Sequence, residues 1–78
     1  MARVLLFGRL ADIAGWRERV VEGASLADIR AALSADADLA EALAGKGVQV
    51  AVDKAIVRGE AALTATSEVA FMPPMSGG

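Results

Sequence analysis

Val69-Ala70-Phe71-Met72 runs straight into Pro73-Pro74, and this junction restricts the fold more than any other stretch of the chain. The run is apolar enough for an interior strand. The two prolines withhold the N–H donors a sheet needs and hold φ near about −65°, so they end the strand and stiffen the exit. Met75-Ser76-Gly77-Gly78 follow. Glycine has no Cβ, so this stretch is thin and takes backbone angles closed to other residues. A chain of 78 residues without cysteine is expected to form one small domain whose modest core holds without disulfides. That domain is expected over residues 1–72, with residues 73–78 as an extended tail.

The other elements follow from local patterns. Residues 3–7, Arg-Val-Leu-Leu-Phe, form a nearly continuous β-rich run, as expected of a central strand covered on both faces. Residues 9–14 place Leu10, Ile13 and Ala14 at helical spacing, with Gly15 where a left-handed cap belongs. Residues 16–22 read as a partly exposed strand. Ser25 with Asp28 three residues on is a capping-box start. Behind it Leu26, Ile29 and Leu33 make one apolar stripe, with Arg30 off it. A shorter helix through Leu39, Ala42 and Leu43 takes Asp36 or Asp38 as its cap and ends near Gly45. Val48, Val50 and Val52 then alternate with Gln49 and Ala51, Asp53-Lys54 suits a tight turn, and residues 55–57 a return strand. Strands early and late around one main helix predict an α+β domain with a mixed sheet packed on that helix. Several topologies accommodate this order. A β-grasp arrangement, with the first and last strands as central neighbours, fits it best.

Composition removes most catalytic chemistries. Without histidine there is no Ser-His-Asp triad, and without cysteine no thiolate nucleophile or cysteine zinc site. Asp36, Asp38 and Glu41 lack the spacing of a calcium loop and read as a solvated helix start, so no metal is expected. Gly45-Lys46-Gly47 lacks phosphate-loop spacing and reads as a turn. Trp16 reads as a lid on the core, Phe7 and Phe71 as core, Lys54 and Arg58 as surface charge. A net charge of −2 with no basic run makes nucleic acid an unexpected partner. No apolar stretch of membrane length and no signal-peptide pattern is visible, so a soluble cytoplasmic protein is expected.

What remains is the main-chain carboxylate of Gly78. From Pro74 onward an extended tail reaches roughly 15 Å at about 3.3–3.6 Å per residue, enough to enter a tunnel in another protein. Side-chain-free glycines let the tunnel be narrow and leave the terminal carbonyl open to attack. A carboxylate is a poor acyl donor until activated, for instance as a mixed anhydride with AMP. Another protein has to supply that activation.

The stretch Val69-Ala70-Phe71-Met72-Pro73-Pro74-Met75-Ser76-Gly77-Gly78 closely resembles the carboxyl end of the molybdopterin synthase small subunit (MoaD) family. Val4-Leu5-Leu6-Phe7-Gly8-Arg9-Leu10 through Gly15, and Ala51-Val52-Asp53, fit the same family at matching distances. Met75 stands where that family commonly has valine or isoleucine, Thr66-Ser67 replaces its usual Asp-Gly turn, and Asp53 a common asparagine. The resemblance implies a ubiquitin-like β-grasp fold and a sulfur-carrier role. By that resemblance Gly78 would be adenylated by an E1-like adenylyltransferase using ATP and magnesium. A sulfurtransferase would supply the sulfur that makes it a thiocarboxylate, and no cofactor would be bound permanently. Pro74, Met75, Ser76 and Gly77 would lie in the large subunit of molybdopterin synthase, within a heterotetramer. Sulfur would pass there to cyclic pyranopterin monophosphate, forming molybdopterin for molybdenum cofactor biosynthesis. The chain would be the non-catalytic sulfur donor, with the catalytic residues in the large subunit. Thiamine sulfur carriers share the fold and the Gly-Gly end but usually run shorter and lack the Phe-x-Pro-Pro stretch. A carrier for thiamine or another sulfur-requiring pathway, and a non-catalytic ubiquitin-like binding module, are the alternatives.

Overall fold

The computed structural model describes residues 1–74, in the order β1 (Ala2–Leu6), α1 (Arg9–Ala14), β2 (Glu18–Val21), α2 (Leu26–Leu33), α3 (Ala37–Leu43), β3 (Gln49–Val52), β4 (Ala55–Val57) and β5 (Glu68–Met72). The strands form one sheet in the order β2-β1-β5-β3-β4. β1 and β5 pair in parallel at its centre, with Val4 opposite Val69 and Leu6 opposite Phe71, and the other pairings are antiparallel. This is the α+β β-grasp arrangement expected from the element order.

Local chemistry explains the boundaries. Ser25 Oγ accepts the Asp28 N–H at 3.2 Å, while the Asp28 carboxylate accepts from Ala24 N–H at 3.0 Å, one residue earlier than a standard capping box. Ala27 N–H donates to Glu60 Oε1 and Leu26 N–H to Ala61 O, so the opening amides of α2, which have no partner inside the helix, are all satisfied. Asp36 caps α3 through Asp38 and Leu39 N–H, and Gly15 closes α1 at φ 83°. Asp53 and Lys54 both have positive φ, 50° and 71°, the geometry a two-residue hairpin needs to match strand twist. Asp53 also grips the start of β5: its N–H donates to Glu68 O, and its Oδ1 accepts Glu68 N–H at 2.9 Å.

The helices cover one face of the sheet. Val4, Leu6, Val50, Val69 and Phe71 from the strands pack with Leu10, Leu26, Ile29, Leu33, Leu39 and Leu43 from the helices. Each large side chain buried here contributes on the order of 1.5–3 kcal/mol. The apolar stripe of α2 is buried as its spacing predicts, with Arg30 exposed beside it. α1 and α3 pack on each other and complete the cover.

The expectation for residues 3–7 needs correction. β1 is central, but it is not covered on both faces: Arg3 is exposed, Leu5 half-buried, and Phe7 is 47 % exposed rather than in the core. No helix crosses to the second face among the described residues, so outward positions of β1 meet solvent whether or not they are apolar. Trp16 is half-buried against the core, with the Arg19 guanidinium 4.5 Å from its ring centroid.

Candidate functional site: the exit from the central strand

Met72 ends β5, so the chain leaves the sheet at its middle, between the end of β1 and the beginning of β3. Phe7 N–H still donates to Phe71 O at 3.2 Å, carrying the β1–β5 pairing one step past β1. Pro73 and Pro74 have no N–H to continue it. Pro73 is half-buried and Pro74 exposed. Both prolines run against glycine. A Cβ built on Gly8 would lie 3.0 Å from Pro73 Cγ, and one on Gly47 2.7 Å from Pro74 Cβ. Beside the exit, between α1 and α3, is an open cavity of about 450 Å³ whose lining includes Leu10, Ile13 and Val48 with the charged Arg9, Glu41 and Lys46.

The uncovered face of the sheet is divided. Strand pairing puts Leu5, Ala70, Ala51 and Ile56 in one row across four strands, and Met72 beside Gln49 nearer the exit. Phe7 continues the outward alternation of β1 at that same end. At the opposite end Arg3 bridges strands by meeting Glu68 at 2.6 Å and Glu18 at 3.4 Å, and the exposed Val20 lies beside Arg3 on the same face. Exposed apolar side chains thus lie at both ends of this face, with Phe7 at the end where the chain leaves β5 and Val20 at the other. An exposed aromatic ring with apolar neighbours, as at the Phe7 end, is the kind of surface a protein partner recognises.

Of the residues singled out in the sequence, Pro74 stands at the exit as expected, while Met75, Ser76, Gly77 and Gly78 lie outside the described residues. Gly8 and Gly47 were not singled out. Gly45-Lys46-Gly47 is a turn, as read, but its last glycine also touches the departing chain. Positive φ at both glycines, 55° and 83°, gives no local sequence signal beyond glycine itself. Among the described residues, no three side chains of metal-ligating type come together, and no helix is long and apolar enough to cross a membrane.

Comparison with known proteins bears on this geometry. The sequence profile of the ThiS family matches residues 4–78. No curated protein sequence matches the chain. Among solved structures, the crystal structure of small archaeal modifier protein 1 from Haloferax volcanii superposes with a TM-score of 0.81 at 30 % identity, over 99 % of this chain and 98 % of that one. The solution structure of small archaeal modifier protein 1 from Methanosarcina acetivorans gives 0.86 at 22 % identity, over 99 % and 95 %. A chain in the complex of subunits 1 and 2 of molybdopterin-converting factor from Helicobacter pylori gives 0.76 at 19 % identity, over 99 % and 97 %. The matched family spans the β-grasp body and the Gly-Gly end together, and on that ground the chain belongs to the ThiS family and has the fold of its ubiquitin-like sulfur carriers.

Proposed function

We propose that this chain is a sulfur carrier and the small subunit of a molybdopterin synthase, with the Gly78 carboxylate as its reactive group. The observation that carries the reading is the exit itself: a central strand stopped by two prolines at the end of the sheet where Phe7 is exposed. Family membership supports the carrier role. The likeness to a chain found in a complex of two molybdopterin-converting factor subunits supports a large subunit as the partner. The Phe71-Met72-Pro73-Pro74 stretch favours this pathway over thiamine.

The chemistry runs on the partners. A Gly78 carboxylate oxygen attacks the α-phosphorus of ATP in an E1-like adenylyltransferase, with magnesium, and pyrophosphate leaves. A sulfur nucleophile at the oxidation level of sulfide, delivered by a sulfurtransferase, then replaces AMP. One carboxylate oxygen departs with AMP and sulfur takes its place. In the large subunit that sulfur bonds to an electrophilic carbon of cyclic pyranopterin monophosphate, and water cleaves the acyl–sulfur bond to restore the carboxylate. Pro74, Met75, Ser76 and Gly77 lie in the partner's passage and carry Gly78 to its reacting groups.

Incubation with the adenylyltransferase, ATP, magnesium and a sulfur source should add about 16 Da, sulfur for oxygen, to the C-terminal peptide. Removing Gly78 or adding a C-terminal tag should abolish the gain. If the tagged chain still supported conversion of precursor to molybdopterin, the reading would fail. A second reading rests on the 30 % identity to a protein named a modifier: the activated Gly78 acyl group is passed to an amine of another protein. Recovery of the chain in amide linkage to lysine side chains, with no free thiocarboxylate, would favour that reading over the first.

A further inference from the structure

We propose that Gly8 and Gly47 are positioning residues, forming a two-sided slot that sets the direction in which the chain leaves Pro74. Gly8 follows β1 and Gly47 precedes β3, the two strands that flank β5, so each neighbour of the central strand places one glycine beside its exit. Backbone angle alone does not account for Gly47. Gly59 has the same φ of 83° as Gly47, yet a Cβ there would meet nothing within 4 Å. Gly59 answers a turn, whereas Gly8 and Gly47 answer a turn and a close approach to the tail. The tail is stiff where they touch it, because each proline ring locks its own φ.

The geometry converts a small push into a large displacement. A Cβ on Gly47 at 2.7 Å from Pro74 Cβ has to be relieved by about 1 Å to reach ordinary contact. Over the one-residue lever from Pro73 to Pro74, that push swings a straight tail by roughly 3–4 Å at its end. The carboxylate has to reach an active site while the partner holds the sheet face. The angle between face and tail therefore governs delivery, and misplacement of about 1 Å can cost on the order of a hundredfold in rate. This consequence rests on the sulfur-carrier reading; the slot itself does not.

The test compares Gly47→Ala and Gly8→Ala with Gly59→Ala. Gly47→Ala and Gly59→Ala both place alanine at φ 83°, so Gly59→Ala controls for a left-handed alanine without a contact to the tail. Only Gly47→Ala and Gly8→Ala should shift the amide resonances of Met75, Ser76, Gly77 and Gly78. The same two variants should lower kcat/KM for ATP–pyrophosphate exchange with the adenylyltransferase at least about tenfold relative to Gly59→Ala. Pro73→Ala, which removes the Cγ that the Gly8→Ala methyl meets, should restore the tail resonances and most of the exchange rate in the Gly8→Ala background. Should Gly47→Ala not fold, Gly8→Ala with and without Pro73→Ala makes the comparison, since the backbone at φ 55° and ψ −133° strains alanine equally in both and only the 3.0 Å contact differs. Tail resonances and exchange kinetics identical to those of Gly59→Ala would overturn the slot, as would failure of Pro73→Ala to rescue Gly8→Ala. If the wild-type chain supports no exchange, the sulfur-carrier reading falls, while the tail resonances still decide the slot.

Discussion

Truncating the two phenylalanines should separate stability from partner binding. Phe71 is wholly buried between β1 and β3, with the Arg30 guanidinium 5.4 Å from its ring centroid. Phe71→Ala empties a closed site and should cost about 3–5 kcal/mol. A domain of this length holds only about 4–12 kcal/mol in all, at roughly 0.05–0.15 kcal/mol per residue, so this variant should be close to unfolding. Phe7 is 47 % exposed, so about half of the usual 1.5–3 kcal/mol of burial is at stake and no closed cavity results. Phe7→Ala should therefore cost about 1 kcal/mol. With a urea m-value near 1 kcal/mol per molar, the midpoints should fall by about 1 M for Phe7→Ala and about 3 M or more for Phe71→Ala. Binding reverses the order. An exposed aromatic ring on the sheet face beside the exit should act as an anchor, and Phe7→Ala should lose about 2 kcal/mol of affinity for the large subunit proposed as its partner. That is a roughly thirtyfold rise in Kd by titration calorimetry. Equal midpoint shifts would refute the assignment of the two rings to opposite faces, and an unchanged Kd for Phe7→Ala would refute its role as a docking anchor.

Leu33→Ala should cost about 2–3 kcal/mol, the low end for a buried leucine, because this residue ends α2 and the following turn can settle into the gap; urea denaturation reads it directly. Ser25→Ala should cost about 1 kcal/mol through the lost acceptor for Asp28 N–H, and Ser25→Asp should recover most of it in the same titration. Asp53→Ala should cost about 1–2 kcal/mol, since Glu68 N–H loses its partner and alanine tolerates φ of 50° poorly. Asp53→Asn keeps the acceptor and should stay within about 0.5 kcal/mol of the parent midpoint.

What could be read from the sequence was what adjacent residues decide. The Ser25 cap, the stripe of Leu26, Ile29 and Leu33, the Gly15 stop and the Asp53-Lys54 turn all depend on residues within a few positions of one another, and all stand as read. The central, neighbouring placement of β1 and β5 was legible because two short apolar runs in a small domain have few places to go; their parallel direction was not read. Phe7 was misread for a physical reason: an apolar ring awaiting a partner and one filling a core are the same ring in a sequence. Only the absence of a covering helix on the second face tells them apart. The slot at the exit was illegible for another reason. Gly8 and Gly47 belong to separate loops and are related solely through Pro73 and Pro74, so no spacing along the chain could pair them.

The placement of β5 has a mechanical consequence. A partner that draws the last residues into a passage pulls along the strand axis. β5 is held on both sides, paired with residues 3–6 of β1 and 49–52 of β3, by hydrogen bonds that run across the strand direction. Traction on the tail thus loads both ladders at once, in shear, whereas an edge strand such as β4 could be peeled open one bond after another. With Val69 and Phe71 also locked into the core, the body acts as an anchor that stays folded while its end is under tension.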